Sequence, residues 1–194
     1  MYEYTDEVIA YLNRQFIRKF NSILAFDEVN ALLRKTDEVF AECEKITRQM
    51  FLVLAKYYCR EFGGDDDLIT DMWLYERVLN NFDPVTGYVY VNEVDRKAAR
   101  SGEAIVASDD RRAAVKKALG YWARQVAQYA DEVTDAAVLE AYRQRGIKKV
   151  RWLTMEDERV CAECNALDGK VFDINNIPTK PHIGCRCYFE AVIT

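Results

Sequence analysis

The feature that most constrains the fold lies near the C-terminal end, where four of the six cysteines and the only histidine are collected. Cys161 and Cys164 are separated by two residues, His182 and Cys185 repeat that spacing, and Cys187 follows two residues later. Thiolates and imidazoles at such spacings are ligands of structural zinc sites, which take four donors in a tetrahedron. The sequence therefore predicts a metal site formed by four of these five residues.

The choice among the five donors stays open at this point. Alternate residues of a strand share a face, so Cys185 and Cys187 can both point at one ion. A knuckle-like turn would instead use His182 with Cys185 or with Cys187. Two alternatives without metal also stay open: reduced, unliganded thiols, and a disulfide that joins one cysteine of each half.

The residues around these cysteines have a β-strand pattern. Three short runs of apolar and β-branched residues predict strands over 148–154, 168–174 and 187–193, and Asp168-Gly169 supplies a turn. A sheet of about three short strands rarely holds together without a staple. An ion that ties the strand ends together would add its binding free energy to the folding of this region.

Upstream of Gly146 the apolar residues have helical spacing instead. After Thr5, a favourable N-cap, they recur three or four apart, at Val8, Ile9, Leu12, Phe16, Phe20 and Leu24. A second helical stretch covers 27–62 and ends at Gly63-Gly64. It is long for one helix, so we expect either a break near Thr36 or a long hairpin arm.

Further helices are predicted in the middle of the chain. One begins at 65–67, one covers 93–107, and one runs from Ser108 through Tyr129. A last helix, 136–145, is expected to be capped by Thr134-Asp135 and stopped by Gly146. Between the first two, 82–87 predicts a turn, and 88–91 is prone to form a strand.

These patterns define the expected fold class and domains. The fold is mainly α, with a small C-terminal α+β sheet stapled by zinc and an N-terminal region of long amphipathic helices. The helical region covers 1–146, with a possible break near 82–92, and a small β-rich Cys/His domain covers 147–194.

Composition excludes several classes of protein. The 194 residues carry a formal charge of −5, with a pI of about 5.1, which argues against coating DNA or an anionic membrane. No apolar run approaches the roughly 18–20 residues needed to span a bilayer. The first residues, MYEYTDEV, lack the features of a secretory signal. We therefore expect a reducing cytosol, where clustered cysteines bind metal more often than they form disulfides.

Catalytic motifs are not found in the sequence, so an enzyme is not expected. No phosphate-binding loop, G-x-S-x-G or His-Glu-x-x-His is present. If His182 binds metal, no histidine remains as a general base. Glu156, Glu158 and Glu163 are the acidic candidates for an ADP-ribosyl transferase activity. Cys43 and Cys59 lie on apolar helical stretches and are expected to be buried thiols.

A cluster of cations surrounds Gly146 and is a candidate for binding nucleic acid or a partner: Arg143, Arg145, Lys148, Lys149 and Arg151. The alternative is structural, because cations at the end of a helix complement its dipole and pair with nearby carboxylates.

The order of motifs in the last third of the chain resembles a known family. Trp152 is followed by Asp157, then by Arg-Val-Cys-x-x-Cys at 159–164, Leu-Asp-Gly at 167–169 and His-x-x-Cys-Arg-Cys at 182–187. This sequence is similar to the C-terminal domain of Mu F-like phage minor head proteins. Ile183 stands where the family usually has proline, which leaves the donor positions intact.

The resemblance implies a function that the residue patterns alone do not give. Minor head proteins of this family are virion components associated with the portal vertex and with DNA packaging, retention or delivery. The implied partners are the portal protein, the major capsid protein and phage genomic DNA, with a homo-oligomer as a further possibility. The implied location is the inside of the head near the portal, after assembly in the bacterial host cytoplasm. A zinc-binding nucleic-acid module is the alternative function.

Overall fold

The computed structural model describes residues 3–83, 88–155, 160–182 and 185–193. It is mainly helical, with two small antiparallel sheets. The helices are α1 (Glu3–Asn21), α2 (Val29–Glu61), α3 (Asp71–Leu74), α4 (Tyr90–Val106), α5 (Arg111–Gln144) and α6 (Ala162–Leu167). The strands are β1 (Phe82–Asp83), β2 (Tyr88–Val89), β3 (Lys149–Leu153), β4 (Val171–Asp173) and β5 (Tyr188–Val192).

Helices α1, α2, α4 and α5 pack against one another and form the body of the protein. The apolar face predicted for α1 is the face it buries, through Val8, Leu12, Phe16 and Phe20. Trp122 of α5 is fully buried in this core. Its ring makes T-shaped contacts with the rings of Phe16 and Phe40, at centroid distances of 6.1 and 5.5 Å. Burial of such large rings is the main contribution to the stability of the bundle.

Helix α2 runs without interruption through Thr36, so of the two alternatives expected for this stretch the break near Thr36 is wrong. The Thr36 hydroxyl donates to the Leu32 carbonyl at 2.9 Å within the same helix and is fully buried. Gly102 of α4 approaches α2 here, and a Cβ at Gly102 would lie 3.3 Å from Leu33 Cδ2. Tertiary packing therefore keeps the backbone helical at Thr36, a residue whose intrinsic helix propensity is low. The N-terminus is capped by Glu28, whose carboxylate accepts from the next turn.

Helix α5 is also continuous, so the expected cap at Thr134-Asp135 is wrong. The Thr134 hydroxyl oxygen lies 2.9 Å from Thr5 Oγ1 of α1, within hydrogen-bond distance, and the hydroxyl donates to the Ala130 carbonyl at 3.0 Å. The side chain therefore connects two helices rather than starting one. The true cap is Asp110, whose carboxylate accepts from the Ala113 N–H at 2.9 Å. Gly146, with φ of +75°, follows the end of the helix as predicted.

The helix expected from 65–67 is broken into short pieces. A 3₁₀ turn over Asp66–Leu68 is followed by α3 and a π turn over Tyr75–Leu79. The Asp65 carboxylate accepts from Asp67 N, and the Thr70 hydroxyl accepts from Trp73 N. Asp65 therefore caps the 3₁₀ turn and Thr70 caps α3. The two short helices are separated by Ile69, whose backbone is extended.

The region expected to be a turn and a short strand forms the β1–β2 pair, whose connection, 84–87, lies outside the described residues. The predicted strand at 88–91 is half right, because Tyr90 already begins α4. Tyr90 is fully buried and packs its ring 4.7 Å from that of Tyr129. Its aromatic side chain therefore serves the helical core rather than a sheet.

The three C-terminal strands are confirmed and form one antiparallel sheet in the order β4-β3-β5. Val150 pairs with Phe172 on one side and Ala191 on the other. The sheet lies against α5, where the Tyr142 hydroxyl donates to the Phe189 carbonyl at 3.3 Å. Trp152 of β3 is fully buried and meets the Phe189 ring at 5.2 Å, edge to face. In the described parts of the chain, no helix is long and apolar enough to cross a bilayer.

Candidate metal centre

The first two donors are positioned by a short helix that the sequence patterns did not predict. Cys161 is the N-cap of α6, and its Sγ accepts from the Cys164 backbone N–H at 3.3 Å. An N-cap residue and the residue three positions later lie at the same end of a helix. The C-x2-C spacing therefore brings Cys161 and Cys164 together through helix geometry.

The other three donors come from the segment that leads into β5. Cys185 and Cys187 directly precede this strand, and His182 lies one turn earlier, where its carbonyl accepts from the Cys185 N–H at 3.3 Å. Because β5 pairs with β3, this segment is held at a fixed place beside α6. Ile183 and Gly184, between the donors, lie outside the described residues.

The five donors meet in two groups that share Cys164. Cys161, Cys164 and His182 form one group, and Cys164, Cys185 and Cys187 form the other, with all ligand atoms of a group within 4.8 Å of one another. Cys164 Sγ lies 3.3 Å from His182 Nε2 and 3.5 Å from Cys185 Sγ. The cluster can bind a metal ion, and Cys164 is the residue that both groups share.

These distances suit a tetrahedral ion. With metal–sulfur bonds of about 2.3 Å and metal–nitrogen bonds of about 2.0–2.1 Å, neighbouring ligand atoms of a tetrahedron lie roughly 3.5–3.8 Å apart. The two measured separations from Cys164 are within a few tenths of an ångström of that range. Small adjustments of side chains would complete the coordination. The donor set, rich in sulfur with one imidazole, is typical of structural zinc.

The electrostatics of the cluster also favour a cation. Cys164, Cys185 and Cys187 are each 3% exposed. Burial raises the pKa of the Cys164 thiol, and hydrogen bonds with the Cys161, Cys185 and Cys187 thiols raise it further. Burial also raises the pKa of Cys185. The Cys164 backbone N–H instead lowers the pKa of Cys161. Thiols packed so closely lose their protons together only when a positive ion compensates the charge.

A buried ion pair beside the cluster was missed by the sequence patterns. Lys180 donates to the Asp135 carboxylate of α5 and to the Cys185 carbonyl, the latter at 3.3 Å. The two side chains are only 16% and 10% exposed. Burial alone would lower the pKa of Lys180, but the Asp135 carboxylate outweighs it and the pKa is raised. Lys180 therefore fixes the donor segment to the helical body as a charged side chain.

The cations around Gly146 are placed differently from one another. Arg143 donates to the Ile174 carbonyl at 3.3 Å and pairs with Glu140, and Arg145 donates to the Phe62 carbonyl at 3.1 Å. Arg151 pairs with Glu190 across the sheet at 3.2 Å. Lys148 and Lys149 are exposed and form no ion pair with another described residue. These two lysines are the members of the cluster that remain available to a ligand.

The remaining candidates lie away from the cluster or outside the described residues. Glu163 is exposed in the first turn of α6, whereas Glu156 and Glu158 are outside the described part of the chain. Cys43 and Cys59 are fully buried in α2, as predicted. Burial raises the pKa of Cys43 to about 12 and that of Cys59 to about 11. All six cysteines are free thiols in the structure.

Comparison with known proteins gives a match to one family model. Residues 96–190 match the family model described as Phage Mu protein F like protein. The match begins in α4 and ends in β5, so it includes the helices that support the sheet and all five donors. Neither the curated proteins nor the solved structures gave a significant match.

Proposed function

We propose that this chain, whose residues 96–190 match the Mu F-like phage protein family, is a structural component of the virion that binds the portal and takes part in head assembly or in genome packaging and delivery. In general terms the family assigns it to the phage minor head proteins. The family match over 96–190 is the observation that carries the proposal. The interaction with the portal, the major capsid protein or the genome is the proposed refinement.

We propose zinc as the ion held by the cluster. Its role is structural, since a sulfur-rich set of four protein ligands leaves no position for a substrate. The ion would join α6 to the segment before β5, and through β5 to β3. It would thereby stabilise the small sheet that lies on α5. The proposed division at 146, with 147–194 as the Cys/His domain, follows from the same staple.

The proposed portal contact is tested with purified proteins. The portal protein of the same phage is captured on beads and incubated with the wild-type chain, with Lys148→Glu/Lys149→Glu, and with the control Lys45→Glu/Lys116→Glu. The control changes charge by the same amount at exposed lysines elsewhere. We expect the wild type and control to be retained and the 148/149 variant to be retained at least about tenfold more weakly. Absence of wild-type retention would refute the portal contact.

A nucleic-acid module is the second candidate, because Lys148 and Lys149 are exposed and adjacent at the start of β3. Two phosphate contacts predict a shallow dependence of DNA affinity on salt, with a slope near −2, since each contact contributes about −0.9. A fluorescence titration against duplex DNA over a salt series measures this slope. A slope near zero would refute the candidate. A steep slope near −4 or beyond would require all five cations and contradict their intramolecular pairs.

Catalysis is not part of the proposal. The family is one of structural proteins. Glu163, the described member of the three acidic candidates, is exposed at the start of a six-residue helix. No evidence from its surroundings favours an ADP-ribosyl transferase role.

A further inference from the structure

A groove between α4 and α5 lies on the helical body, away from the proposed metal centre. It encloses about 610 Å³. Its base is apolar and includes the buried rings of Phe40 and Trp122. Its rim carries four cations, Arg96, Lys97, Arg100 and Lys117. We call this surface the α4–α5 groove.

The α4–α5 groove holds more positive than negative charge, in a chain whose net charge is −5. Glu93 is its one acidic lining residue among those described, and the buried carboxylate pairs with Arg96 at 2.6 Å and with Lys97 at 3.6 Å. Arg100 and Lys117 are exposed and form no ion pair with a described carboxylate. The groove is therefore complementary to a segment that combines carboxylates with bulky apolar side chains.

The chain itself presents such a segment at residues 65–72, which we call the acidic segment. Four aspartates lie within seven residues: Asp65, Asp66, Asp67 and Asp71. Asp66 pairs with Arg60 at 3.7 Å, whereas Asp67 and Asp71 are exposed and form no ion pair with another described residue. Among these carboxylates, Leu68 and Met72 are 57% and 63% exposed. Burial of Leu68 and Met72 against a partner would remove apolar surface from water, which favours association.

The two surfaces lie at opposite ends of α5 and cannot meet within one chain. The groove is lined by residues near the start of the helix, such as Lys117. The acidic segment is held at its other end, where Gln144 Oε1 accepts from the Asp65 N–H at 2.6 Å. Twenty-seven residues of helix separate Lys117 from Gln144, which corresponds to about 40 Å at about 1.5 Å per residue. The complementary surfaces can therefore only meet between two molecules.

We infer that the α4–α5 groove of one copy binds the acidic segment of a second copy, with Leu68 and Met72 on the apolar base and the aspartates against Arg100 and Lys117. Because the two surfaces differ, one contact joins unlike surfaces; two copies related by a two-fold axis make it twice, and other rotations repeat it head to tail. Such contacts produce a ring when the rotation closes and a filament when it does not. The contact uses neither the proposed metal ligands nor Lys148 and Lys149, so it can fail or succeed independently of the proposed portal contact.

The test uses two variants and their mixture. Arg100→Glu/Lys117→Glu reverses the charge of the groove and leaves the acidic segment intact, and Asp67→Asn/Asp71→Asn removes the charge of the segment and leaves the groove intact. Lys45→Glu/Lys116→Glu is the control. Sedimentation velocity over a concentration series at low salt gives the mass of each, and circular dichroism with thermal melts shows that each variant is folded.

The inference predicts that the wild type and the control associate as concentration rises, and that added salt weakens this association. Each groove or segment variant should associate at least about tenfold more weakly. Their equimolar mixture should regain association but stop at two chains, because only one intact groove and one intact segment can meet. A monomeric wild type, or a mixture that does not associate, overturns the inference. Binding of an acidic peptide or single-stranded DNA to a monomeric wild type would assign the groove to that partner and overturn it too.

Discussion

Replacing Lys180 with methionine tests how the segment that carries the proposed ligands is held on α5. Lys180 Nζ contacts the Asp135 carboxylate and lies 3.3 Å from the Cys185 carbonyl oxygen. Methionine is similar in length but removes the charge. It removes the contact of Lys180 with Asp135, which is only 10% exposed in its side chain, and the nearby Asp131 loses a favourable interaction as well.

The magnitude follows from the burial of the pair. Removing one partner of a buried ion pair costs roughly 3–5 kcal/mol, because the other charge stays desolvated. Since the pair is not completely buried, we expect the lower end, about 3 kcal/mol. Replacing both partners with apolar residues, Lys180→Met/Asp135→Leu, removes the uncompensated charge, so the double variant should recover at least about 1 kcal/mol.

Urea unfolding of the purified protein, followed by far-UV circular dichroism, measures these free energies. The control is Lys148→Met, at an exposed lysine without an ion pair to a described residue, which should stay within about 0.5 kcal/mol of wild type. A Lys180→Met variant as stable as the control would refute the account of this ion pair. So would a double variant that is no more stable than Lys180→Met.

Three further predictions concern two glycines, two thiols and one carboxyl group. Gly64→Ala should destabilise the fold by about 1–3 kcal/mol in urea unfolding, because the new Cβ would lie 2.8 Å from the Ala141 backbone. Gly120→Ala should instead stabilise it by about 0.5–1 kcal/mol, because no atom of the described residues lies within 4 Å of the new Cβ. The same sign for both variants would contradict the packing of α2 on α5. Burial raises the pKa of Cys43 to about 12 and that of Cys59 to about 11. Both thiols should therefore react with a thiol reagent at mildly alkaline pH only after unfolding. Fast labelling of the folded protein would show that they are accessible. Burial raises the pKa of Asp131 from its ordinary value of 3.8 to about 6, so the folded protein holds that proton more tightly and loses stability as pH rises through this window. Asp131→Asn should therefore be more stable than wild type at neutral pH, by about 1–3 kcal/mol, and this gain in stability should disappear towards pH 3.8. An equal gain at pH 3.8 and at neutral pH would contradict the raised pKa of Asp131.

The helices and strands could largely be predicted from periodicity, because their apolar faces are the faces they bury. The run from Val8 to Phe20 and the strand at 149–153 are examples. Two of the errors share one physical cause. Thr36 and Thr134 suggest helix ends by local propensity, but in the structure both hydroxyls bond to a carbonyl four residues earlier and both side chains are buried between helices. Tertiary packing overrode the local signal at each place.

The residues of the cluster were predictable, and its geometry was not. Spacing identified five residues that the structure brings together, because metal ligands must approach one point. Spacing did not reveal that Cys161 caps a helix, since α6 has only six residues and no full apolar period. The Lys180–Asp135 pair joins residues far apart in sequence, and no local pattern marks such a contact. The cations around Gly146 form one group in the sequence, but three of them contact the protein itself.

The most direct test of the proposed zinc centre is the metal content of the purified protein, measured by inductively coupled plasma mass spectrometry after gel filtration without chelator. A single structural site predicts about one zinc ion per chain. It also predicts loss of the ion in Cys164→Ser, the donor common to both groups, and full retention in Cys43→Ser, a buried thiol outside the cluster. A wild-type protein without stoichiometric metal, or a Cys164→Ser variant that keeps as much zinc as wild type, would contradict it.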